Sequence, residues 1–169
     1  MTPKINIFSE NIYSNIELDE KKYIDIAKSI LEFYLSKPDI YQSSCLNDEE
    51  YDTVSFDILY CDNTKTHEIN KEYRAKDYPA DIITFAIFAD TDKNSRFIFD
   101  GEINLGEIII SFDGVKSEAV KANKTNEEEL IFLISHGILH LLGFDHQTME
   151  DYNFVVNLQN EAIKAINRG

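Results

Sequence analysis

Three of the chain's four histidines fall in one short segment, His136-Gly137-Ile138-Leu139-His140-Leu141-Leu142-Gly143-Phe144-Asp145-His146. A separation of four residues puts His136 and His140 one turn apart on the same face of a helix, where they can share a metal ion. Gly143 permits a sharp backbone turn, with φ above zero, that lets His146 swing back as a third ligand. Three imidazole nitrogens on a tetrahedral zinc leave the fourth position to water, which is the arrangement of a reactive centre. A structural zinc is closed by four protein ligands. Leu139, Leu141 and Leu142 surround the histidines with apolar packing that dries the site and strengthens its electrostatics. The segment therefore predicts one Zn2+ per chain, held by His136, His140 and His146; imidazole sites also accept nickel and copper.

The spacing H-x3-H-x5-H, with Gly143 between, equals that of the extended zinc-protease motif HExxHxxGxxH. Gly137 stands where that motif has its glutamate, the general base of peptide hydrolysis. Without it the metal-activated water lacks its usual proton acceptor, so proteolysis is disfavoured. The fourth histidine, His67, lies outside the segment and reads as a surface residue.

These ligands need a helix under the first two and a turn before the third. Thr125 and Glu128 have capping-box spacing, and Leu130, Leu133, Ile134 and Ile138 follow as an apolar stripe. Gly143 lies where that helix ends. Thr148 with Asp151 resembles another start, opening a final helix to about Asn167. Upstream, Lys4–Phe8 and Thr53–Cys61 alternate like strands. Asp19–Ser36 reads as a helix capped by Asp19 and stopped by Pro38. Asp62 or Asn63 caps a short helix to about Arg74, broken by Pro79. Ile82–Ala89 and Leu105–Phe112 read as further strands. The expectation is an α+β fold: a mixed sheet of about four strands packed with helices, with a metal-binding cleft, in a single domain spanning 1–169.

Composition agrees with a globular chain: 169 residues, 43% hydrophobic and 28% charged. Cys45 and Cys61 form no CxxC and read as free thiols of a reducing compartment. The N-terminus shows no signal peptide and no apolar run reaches membrane-spanning length, so a cytoplasmic protein without membrane contact is expected. The formal net charge is −15. Taken alone, that opposes nucleic-acid binding, because phosphates repel an acidic surface. A local metal in a cleft offsets it at one place only.

The string HGILHLLGFDH resembles the signature of the YbeY family of endoribonucleases, the ribosomal RNA maturation factors, at every position of His-Gly-x-Leu-His-Leu-x-Gly-Tyr/Phe-Asp-His. Ile69-Asn70-Lys71-Glu72-Tyr73-Arg74 is similar to the family's Leu-Asn-x-x-Tyr-Arg segment. Pro79-Ala80-Asp81-Ile82-Ile83-Thr84-Phe85 is close to Pro-Thr-Asp-Val-Leu-Ser-Phe, and Leu105-Gly106-Glu107-Ile108-Ile109-Ile110-Ser111 to Leu-Gly-Asp-Ile-x-Ile-Ser. The likeness runs from about residue 50 to the C-terminal helix; the first 50 residues match only in layout. Ala80, Thr84 and Ala86 depart from the family's threonine, serine and proline, altering the wall beside the Arg74 helix and sparing the histidines.

This resemblance implies cleavage of single-stranded RNA, maturation of the 3′ end of small-subunit (16S) rRNA, ribosome quality control, and the small ribosomal subunit and its proteins as partners. It also implies that the planar fork of Arg74 grips phosphate, with Lys71 and Lys76 flanking it. Asp145 either holds a histidine in the right tautomer, acts as a weak base, or caps the last turn. The attacking group is metal water or the RNA 2′-hydroxyl. Two other classes fit the zinc segment: a non-catalytic zinc-binding ribosome assembly factor, and a metallohydrolase of another substrate such as a peptide.

Overall fold

Apolar residues at alternate positions give the sheet its buried face. In the computed structural model, which describes residues 3–13, 17–144 and 149–168, four strands form one mixed sheet in the order β1-β2-β4-β3. β1 (Lys4–Asn11) runs parallel to β2 (Thr53–Cys61), and β2 runs parallel to β4 (Glu102–Ser111). β3 (Ile82–Phe85) closes the sheet antiparallel to β4. Val54, Phe56, Ile58 and Tyr60 of β2 are buried, as are Ile103, Leu105, Ile108 and Ile110 of β4.

Six α-helices accompany the sheet among the described residues: α1 (Glu20–Leu35), α2 (Pro38–Ser43), α3 (Asn63–Tyr73), α4 (Phe112–Lys121), α5 (Asn126–Leu141) and α6 (Met149–Arg168). The α+β expectation is met. α5 is the hub, packed on α1, α4, α6, β3 and β4. α3 lies on the opposite face. Its Ile69 joins Cys61, Ile83 and Ile109 in a small separate cluster, and neighbouring strand residues such as Ile108 and Ile109 point to opposite sides.

The helix starts are chemical. Asp19 accepts from Lys22 N at 3.2 Å and Asp62 from Lys65 N at 2.9 Å. At α5 the capping box closes in both directions: Glu128 N donates to Thr125 Oγ1 at 3.1 Å and Thr125 N donates to Glu128 Oε1 at 3.0 Å. Each such cap satisfies backbone donors that the first helical turn otherwise leaves unpaired.

Several elements differ from expectation. The strand read over Ile82–Ala89 ends at Phe85. Beyond it lies Gly106 with φ +130°, where a Cβ would sit 1.8 Å from the Phe85 carbonyl oxygen. The β2–β4 register shifts between Ser55 and Asp57 at the same place. This bulge turns β4 away, and residues after Phe85 bend into a turn closed by Asp90 N donating to Ala86 O at 2.8 Å. The strand read as Leu105–Phe112 instead covers Glu102–Ser111. Phe112 opens α4, an unforeseen helix capped by Ser111, whose Oγ accepts from Gly114 N at 3.3 Å. Pro38 does more than stop α1: its fixed φ suits the first position of α2. α3 ends at Tyr73, ahead of Pro79, with Arg74 as its cap. The residue after it, Ala75, takes φ +54°. Among the described residues no helix is long and apolar enough to cross a membrane.

One contact sets how closely α5 approaches the sheet. A Cβ built on Gly137 would meet Ile108 Cδ1 at 2.9 Å, Cγ2 at 3.0 Å and Cγ1 at 3.1 Å. Glycine at 137 is therefore a packing requirement, and there is no room for the protease glutamate. Gly137→Glu is expected to destabilise the protein by at least the ~1–3 kcal/mol typical of overpacking, read as a lower urea midpoint, and to confer no casein hydrolysis with zinc added.

Carboxylates pull stability in both directions with pH. The Asp113 carboxylate accepts from Asn63 N at 2.9 Å and from the Tyr13 hydroxyl at 2.7 Å. Chiefly the Asn63 bond, and then the Tyr13 bond, hold it below the usual carboxylate range. Burial pushes Asp57, Asp81 and Glu107 upward. A group with a lowered folded pKa contributes stability that is present above its unfolded value and lost as pH falls through its folded value. Asp113→Asn should therefore flatten the acid limb of the melting-temperature profile. The three raised groups act with the opposite sign and remain in that variant.

Candidate metal centre

α5 carries His136 and His140 half-buried on one face. Their Nε2 atoms face one another at 3.0 Å, and the ring centroids are 4.6 Å apart. Two nitrogens on one tetrahedral zinc at its usual bond length stand roughly 3.3 Å apart. The pair thus fits a shared imidazole-bound cation with little adjustment. Behind it, His136 Nδ1 lies 3.1 Å from Gln159 Oε1 of α6. Gln159 Nε2 donates to Phe132 O and to Ser135 Oγ, both at 3.3 Å.

The end of α5 is built to turn. Gly143 has φ +101°, the left-handed conformation expected of it. Its N–H donates to His140 O at 3.0 Å, and Phe144 N donates to Leu139 O at 3.0 Å. A second segment covers the remaining carbonyls: Cys45 N donates to Leu142 O at 2.9 Å, and the Cys45 thiol to Leu141 O at 3.6 Å. Both cysteines are free and buried. Burial pushes Cys45 up to about 11 and Cys61 up to about 12. Asp145 and His146, the other two polar residues of the segment, lie outside the described residues. Among the described residues no group of three or more His, Cys, Asp or Glu side chains converges as a metal cage; of the expected ligands the described residues bring together His136 and His140.

Arg74 is exposed at the end of α3. Its Nη1 makes a long contact, 3.5 Å, with Asn70 Oδ1. Asn70 itself is buried and organises the following loop: its Nδ2 donates to Tyr78 O at 2.9 Å, and its carbonyl accepts from Arg74 N at 3.0 Å and Lys76 N at 3.1 Å. His67 Nε2 lies 2.8 Å from Asp77 Oδ1. That bond first, and the nearby Lys71 charge next, lower the Asp77 carboxyl. Lys71 is exposed and Lys76 half-buried. The structure therefore unites His136 with His140, whereas Lys71 lies in the last turn of α3 and Arg74 and Lys76 in the segment that follows it toward edge strand β3.

A groove of about 670 Å3 on the α3 face is lined by Asp57, Lys65, Glu68, Glu72, Phe85 and Glu107, among others. Its carboxylates make it a poor seat for phosphate, and among the described residues no histidine lines it.

Asn70, Ser135 and Gln159 are the polar residues that sequence reasoning missed here. Gln159 had a legible signal. It shares a helical stripe with Ala162 and Ile166, at i, i+3 and i+7, where an apolar residue is expected.

Comparison with known proteins supplies the family. The family described as Endoribonuclease YbeY matches residues 8–167. A protein named Endoribonuclease YbeY from Acetivibrio thermocellus is 34% identical, over 96% of this chain and 98% of its own length. Another of that name from Malacoplasma penetrans is 29% identical over 96% and 97%. The solution structure of TM1509 from Thermotoga maritima has the same fold, with a TM-score of 0.55 at 24% identity, covering 97% of this chain and 92% of that one. A histidine signature matched at every position, which begins on the helix that the fold places over its sheet, thus meets a likeness that spans almost the whole chain, and the chain belongs to the YbeY endoribonuclease family.

Proposed function

We propose that the chain is a zinc-dependent endoribonuclease specific for single strands, acting in maturation of the 3′ end of small-subunit rRNA and in ribosome quality control in the cytoplasm. The observation that supports it most directly is the His136–His140 pair, Nε2 to Nε2 at 3.0 Å, on a helix anchored to the sheet. His146 completes the ligand set in this reading, with one zinc per chain.

Zinc held there supplies Lewis acidity toward a phosphoryl oxygen and a water acidic enough to ionise near neutral pH. The chain's own residues do the rest. Leu139, Leu141 and Leu142, all buried in the main core, fix the helix end that carries the ligands and give the half-buried histidines a low-dielectric side, which strengthens local fields. Arg74 presents a permanently charged fork that binds phosphate and stabilises charge gathering on it during cleavage. Lys71 and Lys76 add charge along the backbone. Asp145 orients a neighbouring histidine or accepts a proton. With a net charge of −15, general attraction to RNA is absent, so recognition is local to these groups. The small subunit and its proteins supply the remaining contacts.

Metal analysis of the purified protein, paired with cleavage of a single-stranded RNA, tests this reading. About one zinc per chain with cleavage is expected in the wild type, and neither in His140→Ala. Zinc without cleavage points to an assembly factor, and a protein with no metal affinity sinks the reading. A 2′,3′-cyclic phosphate on the product identifies the 2′-hydroxyl as attacking group; its absence from the first turnover identifies water.

Arg74→Glu should keep the zinc and lose RNA turnover by roughly 100-fold or more, the scale of removing one transition-state donor. Turnover at the wild-type rate would show that Arg74 grips no phosphate.

A further inference from the structure

A buried amide needs partners, and those of Gln159 dictate which way it points. Gln159 is 0% exposed, a costly place for a polar side chain unless every group is paired. Ser135 Oγ donates its own proton to Phe132 O at 2.8 Å. Toward Gln159 it can therefore only accept, and a carbonyl such as Phe132 O always accepts. Both lie 3.3 Å from the same corner of the amide, so that corner is the NH2 group. The opposite corner is the oxygen, and it faces His136 Nδ1 at 3.1 Å.

An amide oxygen accepts and never donates, so His136 Nδ1 must carry a proton. A neutral imidazole carries only one. Its Nε2 is then the atom with the lone pair, and it is this atom that faces His140 Nε2 at 3.0 Å. We propose that Gln159 is a positioning residue: from α6 it selects the His136 tautomer and ring orientation that aim the Nε2 lone pair into the histidine site before any ion arrives. The importance of this for metal uptake rests on the zinc reading above; the tautomer itself does not.

The arrangement explains why a polar residue interrupts the buried stripe of α6. It also makes α6 part of the site rather than a cover for it. A partner behind a ligating imidazole fixes its tautomer and raises its basicity, and losing one typically weakens metal binding about 10–100-fold. Residues 132, 135 and 136 all belong to α5. One side chain thus reads three points on the metal-binding helix and ties their geometry to the C-terminal helix.

Long-range 1H–15N correlation spectra of the metal-free protein, labelled at histidine and recorded where imidazoles are neutral, test the proposal directly. Wild-type His136 is expected as the Nδ1–H form, the minority form of free histidine in water. Gln159→Leu should move it toward Nε2–H with helix content retained, and weaken Zn2+ binding about 10–100-fold in competition with a chromophoric chelator. Gln159→Glu still presents an acceptor to Nδ1, and the Ser135 hydroxyl can turn from Phe132 O to donate to its second oxygen, so this variant should keep the wild-type tautomer and hold zinc at least as tightly. It also decides the matter should the leucine variant fail to fold. Wild-type His136 as Nε2–H, or an unchanged tautomer and zinc affinity in Gln159→Leu, would overturn the assignment. An Nδ1–H wild type that binds no zinc would instead sink the metal reading and leave the positioning role standing.

Discussion

The backbone of α5 comes down onto β4 where Gly137 meets Ile108, and the placement of both histidines follows from that approach. With no side chain at 137, the helix sits deep enough for Leu133, Ile134, Ile138 and Leu141 to be buried. His136 and His140 then lie beside the buried face, half in solvent. A longer residue at 137 would lift the helix and rotate the imidazoles away from α6. Close packing of this kind tolerates little change in volume. The glycine that excludes a protease base thus also sets the height of the histidine-bearing helix above the sheet.

Electrostatics divide the molecule. Most carboxylates are at the surface, and the chain as a whole repels polyanions. At exposed Asp57 and at half-buried Asp81 and Glu107, partial desolvation raises the carboxyl pKa. In the loop after α3 the charges of Arg74 and Lys76 are balanced by Asp77 and Asp81, so no basic patch forms there. His67 and Asp77 brace that loop, Asn70 holds its backbone, and Arg74 is left facing water. An enzyme of this kind discriminates by local geometry, since its overall field draws in no nucleic acid.

What could be read from sequence was what local chemistry decides. Asp19, Asp62 and Thr125 cap their helices as their types and spacing suggested, and Gly143 takes the left-handed turn foreseen for it. The histidine pair followed from spacing alone. Features that depend on distant partners were not legible. β3 stops at Phe85 because Gly106, on another strand, turns the ladder aside. Only Phe112 of α4 was read, as the end of a strand, because Ile108, Ile109 and Ile110 dominate the local pattern, although Ser111 with Phe112, Val115 and Ala119 carried a helical signature. Gln159 escaped because its role exists only once α6 lies against α5. Asn70 was quoted within a motif, but its work of organising the loop behind Arg74 is a matter of tertiary contacts.

The two cysteines bear on which metal the chain can hold. Thiolate sulfur outcompetes imidazole for soft ions such as Cu(I), and it draws zinc as well. In this fold neither sulfur is offered. Cys45 spends its proton on the Leu141 carbonyl and Cys61 spends its own on the Ile110 carbonyl, and burial keeps both as neutral thiols at physiological pH. A buried neutral thiol ligates and reacts with peroxide less readily than an exposed thiolate. Beside the end of α5 the buried Cys45 sulfur thus competes weakly, and under the zinc proposal nitrogen chemistry is left to choose the ion.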